Sequence, residues 1–426
     1  MALKNLGILW GQYGPYHIAR VAALKQRAGA VNVHALELAN QTADYVWTRS
    51  LPFELVTAFS GEVVQQIPFW RVFFRARRIF CELNLDVCIL PSYWPKQILA
   101  VLLAAKSLGI RTVMMNESHA GTARATGAAA QVKRVLVNAF DAALVGGQPQ
   151  KRYFASLGLP VEKIFPGYDA VDNQYFADKA ATVRADAARW RAQYALPDRY
   201  FLSLGRFVAK KNLPTLILAY RQILTRQAGC PVHLVMVGSG EEEGRLKTLC
   251  AELHLPVYDK SRVGGEKPTS QAPATTPGVH FYGFRQIDEN PLFYALAEAF
   301  ILPSSREEWG LVVNEAMACG LPVVVSETVG CAEDLLVAGS PSGLAELRIE
   351  PPLTMISGLR QNGFVFPPDS SEALAGALND LSLHPELREL MGQAGRQIVE
   401  TVSCDVFAMN ALRAARAALG EEPENP

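Results

Sequence analysis

Two carboxylates, Glu307 and Glu315, stand eight positions apart in SSREEWGLVVNEAMACGLPVVVSE (304–327), on either side of a tryptophan-glycine pair and the start of an apolar run. Leu311 to Cys319 has helical spacing, with Gly310 at its start. The first N–H groups of a helix have no partner inside it, and the macrodipole adds positive charge there, so Gly310, Leu311 and Val312 offer an anion site. Arg206 and Lys211, in GRFVAKKN (205–212), bring two cations from another loop. Arginine presents a fork of donors to phosphate oxygens and lysine a compact charge. Two more anions beside a phosphate would repel it, so the glutamates need a different partner. Carboxylates accept hydrogen bonds from sugar hydroxyls. A nucleotide sugar has both parts: a diphosphate in the middle and hydroxyl-rich rings on either side, the ribose for Glu315 and the transferred sugar for Glu307. Taken alone, Glu307 and Glu308 also read as solvated acids favouring a helix N-terminus, and Arg206 and Lys211 as surface charge.

For these side chains to meet, their loops must leave one edge of a sheet. Short β-rich runs alternate with helical patterns along the whole chain, which predicts parallel sheets flanked by helices. In the first half the runs are 6–10, 31–38, 86–91, 111–116 and 141–146; in the second they are 199–205, 232–238, 278–283, 299–303 and 322–327. The fold expected is α/β, with two Rossmann-like domains facing each other across a cleft. The first spans 1–180, the second 195–400, and 401–426 is a C-terminal helix packing back on the first domain with a frayed tail. Ligands of such sheets bind at the carboxyl ends of the strands. There the first strand is followed by GQYGPYH (11–17), where Gly11 and Gly14 allow a tight turn and Pro15 suits a first helical turn. His17 reads equally as a functional group or a polar cap. Gly238 and Gly240 flank Ser239 after another strand and read as a turn. Asp169 and Asp172 are expected to organise the linker, and 259–278 to form a surface loop.

The 426 residues exceed one ordinary core, which agrees with two domains. Seven cysteines form no CxxC pair and no metal-like spacing, and read as reduced core thiols of a cytoplasmic protein. The apolar stretch at the N-terminus is too short for a signal peptide, and the longest apolar run, 98–115, is broken by Lys106, Gly109 and Arg111. Net charge is zero but uneven: residues 1–180 hold 19 basic and 12 acidic residues, and the remainder 22 and 29. A basic first lobe fits an anionic partner, though charge drift without purpose explains it as well. Nothing points to nucleic acid.

At this point the residues resemble a known family, the retaining glycosyltransferases of the GT-B fold (glycosyl transferases group 1), which includes glycogen synthase, sucrose synthase and many bacterial mannosyl- and glucosyltransferases. The most specific mark is Glu307-x7-Glu315 followed by AMACGLPVV (316–324). GRFVAKKN, VGSGEEEGRLKTL (237–249), the run 283–305, VGCAEDLL (329–336) and NGFVFPPDSSEALA (362–375) follow the family's order, and AVDNQYF (170–176) is similar to its segment before the interdomain linker. The resemblance implies metal-independent transfer, with retention, from a UDP- or GDP-sugar to an unidentified glycan, lipid or small molecule. It implies that Arg206, Lys211 and the amides of Gly310 and Leu311 hold the diphosphate, and that Glu315 binds the ribose. Glu307 would touch the donor sugar, and Gly238, Gly11 and Gly14 would let backbone approach the nucleotide. Glu308 and Trp309 depart from the family pattern and are expected to reshape the sugar pocket. Relatives place an active-site histidine after the strand that is 111–116 here; this chain reads NESHAGTAR (116–124), so Glu117 or His119 takes that place. No Asp-x-Asp pair is present and no cofactor is implied. The rival readings are a degenerate nucleotide-sugar-binding scaffold, a GT-B epimerase or phosphorylase, and a glycosidase using the paired carboxylates.

IPFWRVFFRARRIFCELN (67–84) is predicted to be a helix with Phe69, Val72, Phe73, Ala76, Ile79, Phe80 and Leu83 on one face, a pattern that packs on a sheet. Trp70 and Phe74 fall elsewhere, near Arg71, Arg77 and Arg78, an arrangement that suits an anionic membrane surface.

Overall fold

The computed structural model of the chain describes residues 2–41, 50–123, 126–226, 232–261, 276–347 and 349–421. Two compact units share the chain: Met1–Asp172 with Val402–Pro426, and Asn173–Thr401.

The first unit is built on seven parallel strands: β1 (Asn5–Trp10), β2 (Asn32–Gln41), β3 (Leu55–Val63), β4 (Val87–Pro91), β5 (Arg111–Asn116), β6 (Ala142–Val145) and β7 (Ile164–Phe165). Their order is β3-β2-β1-β4-β5-β6-β7. The order reverses between β1 and β4, the switch point where doubly wound sheets bind ligands. The central strands are buried on both faces, which is why they read as near-continuous Val, Ile, Leu and Met. One face packs against helices Phe69–Glu82 and Lys96–Ser107. The other packs against Pro15–Arg27 and the alanine-rich helix Cys404–Leu419. Small side chains on that last helix (Ala408, Ala411, Ala414, Ala415) bring it close to both the sheet and Pro15–Arg27.

The second unit has eight strands: β8 (Tyr200–Leu204), β9 (His233–Val237), β10 (Val257–Asp259), β11 (Val279–Phe281), β12 (Ala299–Leu302), β13 (Val323–Ser326), β14 (Leu359–Arg360) and β15 (Gly363–Phe366). The order is β10-β11-β9-β8-β12-β13-β15-β14, with only the β14–β15 pair antiparallel among the described strands. Here the switch point lies between β8 and β12.

The ten expected strands all form. The sequence reading missed β3, β7, β10, β14 and β15. Strand β3 is an edge strand with one buried residue, so its apolar signal is weak. The others have two to four residues, too few to show a period. Six cysteines are free thiols, and Cys81 is exposed rather than part of the core. Cys230, most of the 259–278 loop and all but the first residue of the 421–426 tail lie outside the described residues. No helix of the described residues is long and apolar enough to cross a membrane.

On helix Phe69–Glu82 the buried side chains are Val72, Ala76, Ile79 and Phe80, with Phe69 and Phe73 packed at the margin. Trp70 and Phe74 stand 63% and 64% exposed, as the helical spacing predicts.

Candidate active site

Two loops leave neighbouring strands at the switch point of the second sheet: Gly205–Asn212 after β8 and Pro303–Gly310 after β12. Main-chain contacts fix them together. The Ser305 N–H and Oγ both donate to the Lys210 carbonyl, at 2.9 and 3.2 Å. Asn212 Nδ2 donates to the carbonyls of Pro303 (3.1 Å) and Pro368 (2.7 Å). A third loop supports the first from behind. The Phe207 N–H donates to the Ser239 carbonyl at 2.8 Å, and a Cβ on Gly238 would lie 1.8 Å from the Gly205 carbonyl oxygen. Gly238 also has φ +141°, a left-handed backbone that disfavours side chains. Gly238 therefore serves the close approach of two loops.

On this frame the charges pair. Lys211 Nζ donates to the Glu307 carboxylate, which also accepts from Ser304 Oγ at 3.1 Å. Lys210 Nζ lies 2.7 Å from Glu308 and 4.0 Å from Glu307. Burial alone would raise the Glu308 pKa, but the bond to Lys210 and its charge outweigh that and hold it below the ordinary value. Lys211 and Glu307 are nearly enclosed, so a diphosphate reaching Lys211 has to share it with Glu307. Arg206 is exposed, and its guanidinium forms no hydrogen bond or ion pair among the described residues. It is the unneutralised cation of the loop.

Gly310 opens the helix Leu311–Ala318 with φ +104°. A Cβ there would meet Leu302 at 3.0 Å and the Glu307 side chain at 3.5 Å. Leu311 is half-buried beside it. Trp309 is buried and its Nε1 donates to Asn314 Oδ1 at 3.0 Å. The indole fastens the turn to the helix and does not line an open sugar pocket, which corrects the expectation for Trp309; Glu308 alone of the two departures is solvent-accessible. Glu315 lies on the inner face of the helix with no exposed surface, accepting from Asn290 Nδ2 at 3.4 Å. The structure thus brings Arg206, Lys211, Glu307 and Gly310 to one sheet edge and holds Glu315 one helical turn further in.

In the first unit the glycines behave differently. Gly14 has φ −112°, and a Cβ on Gly11 would find Val64 at an ordinary 3.8 Å. Neither needs left-handed backbone, which corrects the expected glycine-dependent turn. The helix Pro15–Arg27 is begun by its own side chain: His17 Nδ1 accepts from the Gly14 N–H at 3.0 Å, and the ring stacks on Trp10 at 4.6 Å. Burial, and then the Arg20 charge, lower the His17 pKa to about 3, so the imidazole is neutral and acts as the cap.

His119 is likewise committed locally. Its Nδ1 accepts from the Gly121 N–H at 3.2 Å, and its N–H donates to Thr122 Oγ1 at 3.1 Å. Glu117 instead meets the carboxyl of Asp169. Asp169 is wholly buried, 3.9 Å from the Arg20 guanidinium. That guanidinium lies over the Tyr168 ring at 4.8 Å, and its Nε donates to the Ala170 carbonyl at 2.8 Å. Burial first, then the Glu117 charge, raise the Asp169 pKa well above its ordinary value. Asp169 is therefore part of the first unit's interior, not an organiser of the linker. The sequence reading missed Lys210, which the Lys-Lys doublet signalled, and Arg20, for which spacing gave no signal.

The described residues contain no cluster of three or more metal-ligating side chains. Residues 198–384 match the family model "Glycosyl transferases group 1". An uncharacterized glycosyltransferase of Methanocaldococcus jannaschii is 33% identical over 136 residues, which are 32% of this chain and 29% of that protein. The alignments span about a third or less of the length of the first curated relatives. A glycosyltransferase from Rickettsia africae superposes with a TM-score of 0.70 at 14% identity, covering 99% of this chain and 100% of that one. Anabaena HepE in complex with UDP superposes with a TM-score of 0.64 at 18% identity, covering 96% and 98%. At such identities the likeness shows the fold, which is GT-B. Residues 198–384 of this chain are thereby a glycosyl transferases group 1 region on a GT-B scaffold.

Proposed function

We propose that the protein is a glycosyltransferase that moves a sugar, with retention, from a nucleoside-diphosphate sugar to an acceptor. The observation that carries this is the joined pair of loops in the second unit. An exposed Arg206, a Lys211–Glu307 pair and the N-terminal turn of Leu311–Ala318 converge at the switch point of a doubly wound sheet. Solved structures of the same fold bind UDP and UDP-glucose.

In this mechanism the diphosphate departs as positive charge grows on the anomeric carbon. Arg206, Lys211 and the Gly310 and Leu311 amides meet charge that develops only as the bond breaks, which is where stabilisation raises the rate. When the phosphate engages Lys211, Glu307 is freed to accept from a hydroxyl of the donor sugar. Glu315 binds the ribose, and the acceptor hydroxyl attacks from the face the diphosphate leaves, giving its proton to the departing phosphate oxygen. Positive charge comes from these groups and not from a metal. The acceptor is assigned to the first unit, with Glu117 or His119 as the candidate side chain. Trp70 and Phe74 beside the arginines of Phe69–Glu82 give a contact for an anionic membrane surface, weakened because Arg71 pairs with Glu62 at 2.9 Å and Arg78 with Glu82 at 2.8 Å. Such contact is compatible with a cytoplasmic enzyme.

The test is nucleotide release from UDP- and GDP-sugars in the presence of an acceptor panel, with the anomeric configuration of the product read by NMR. Transfer with retention, lost in Lys211→Ala, is the expected result. Specific nucleotide binding without turnover favours the scaffold reading, and turnover of the donor without an acceptor favours the epimerase.

A further inference from the structure

On the opposite edge of the second sheet, before the N-terminal ends of β8, β12 and β13, lies an open cavity of about 430 Å³. That size matches pockets that take small ligands. Three arginines, Arg184, Arg191 and Arg388, and three carboxylates, Asp198, Glu298 and Glu389, line it among small and apolar residues. Arg184 Nη2 donates to the Cys319 carbonyl at 2.6 Å. Arg191 donates to the carbonyls of Pro197 (2.7 Å) and Leu296 (3.4 Å). Neither forms an ion pair among the described residues, so each is aimed by one or two main-chain bonds and keeps its charge and its remaining donors. Arg388 shares Glu298, at 3.6 Å, with Arg199, which donates to the same carboxylate. Arg396 lies so close to Gly320, on the cavity wall, that a Cβ there would sit 2.3 Å from its Nε. Burial, and then the charge of Arg396, lower the Arg184 pKa. Asp198 and Glu389 stand at the rim, exposed. Glu298 is taken by Arg388 and Arg199, and the other two carboxylates are solvated at the rim, so Arg184 and Arg191 keep guanidinium donors that an anion with several oxygens can engage.

One element joins this cavity to the candidate active site. The helix Leu311–Ala318 begins at Gly310, beside Glu307, and ends at Cys319, whose carbonyl Arg184 holds. Eight residues carry it about 12 Å. An anion drawing on Arg184 acts on the C-terminal cap of the helix whose N-terminus faces the donor.

We propose that this cavity is a second binding site, for a phosphorylated small molecule of sugar-phosphate size, and that its occupant acts on the donor site through the helix Leu311–Ala318. The regulatory half rests on the donor-site reading; the binding half does not. The test is thermal stabilisation of the full chain by glucose 6-phosphate and by pyrophosphate, with glucose and sulfate at equal ionic strength as controls. The same titrations are run on Lys211→Ala, Arg191→Gln and Ala187→Glu. Ala187 lines the cavity at the first position of a helix, so a glutamate adds negative charge there without touching the arginine anchors and favours the helix. Saturable stabilisation by at least one probe is expected, unchanged in Lys211→Ala and at least tenfold weaker in Ala187→Glu and Arg191→Gln. The apparent affinity for UDP or GDP should then shift at least threefold when the probe is present. No saturable effect of either probe, equal binding in the cavity variants, or loss of binding in Lys211→Ala overturns the second site. Probe binding with no effect on nucleotide affinity overturns the coupling. Probe binding by a chain that binds no nucleotide leaves the second site standing and removes the donor-site reading.

Discussion

The loops that follow β8 and β12 in the second unit and those that follow β1 and β5 in the first occupy equivalent edges of two doubly wound sheets, yet they are held differently. In the second unit the backbones themselves are in contact, and glycine is compulsory: a Cβ on Gly238 would overlap the Gly205 carbonyl, and Gly310 sits at φ +104°. In the first unit side chains do the holding. His17 and His119 cap their own turns, Arg20 and Asp169 meet in the interior, and Gly11 has room for a Cβ. The second arrangement fixes charges in place before any ligand arrives. The first lets the edge be rebuilt by substitution.

Single substitutions should separate the two. The largest effect is expected for catalysis: Lys211→Ala and Glu307→Gln each reduce turnover by about 10²–10³-fold, the loss typical of a charge-stabilising donor removed from an active site. Steady-state rates check this, and near-wild-type rates in either variant would mean that the paired loops are only structural. Next comes the glycine contrast, read by urea unfolding. Gly238→Ala should cost about 3 kcal/mol or more, because two backbone segments must part. Gly11→Ala should stay within about 0.5 kcal/mol. Equal costs would erase the distinction between the two edges.

The third prediction concerns pH. Asp169 has a raised pKa in the folded chain, so its favourable contribution is complete below its ordinary value of 3.8 and is lost as pH rises through the raised one. Wild-type stability should therefore fall relative to Asp169→Asn above pH 4, at no more than about 1.4 kcal/mol per pH unit. Parallel stability curves for the two proteins would show that Asp169 stays ionised beside Arg20. The smallest effect is Glu308→Ala. Its lowered pKa means stability present above the ordinary carboxyl range and lost as pH falls, but the pair with Lys210 is partly open to solvent. A change of about 0.5 kcal/mol is expected.

The same contrast explains what was legible in the sequence. Strands buried on both faces announce themselves as apolar runs, so both sheet centres could be read, while the edge strand β3 and the two-residue strands could not. In the second unit the site residues come in short segments with fixed spacing, and Arg206, Lys211, Glu307 and Gly310 could be named together. Their pairing could not: nothing in the spacing says that Lys211 meets Glu307, or that Trp309 turns inward to Asn314. In the first unit the polar cluster joins Arg20, Glu117 and Asp169 across about 150 positions of sequence. Such a cluster has no local signature, and Asp169 looked like a linker residue because its partners are remote.

The most direct test of the central claim is nucleotide binding measured by calorimetry, with UDP, GDP and ADP against the wild-type chain and Lys211→Ala. The structure predicts saturable binding of one nucleoside diphosphate, at least tenfold weaker in the variant. Equal binding by both proteins, or no binding of any of the three by a cooperatively folded wild type, would contradict the placement of the donor diphosphate between Arg206, Lys211 and the helix that begins at Gly310.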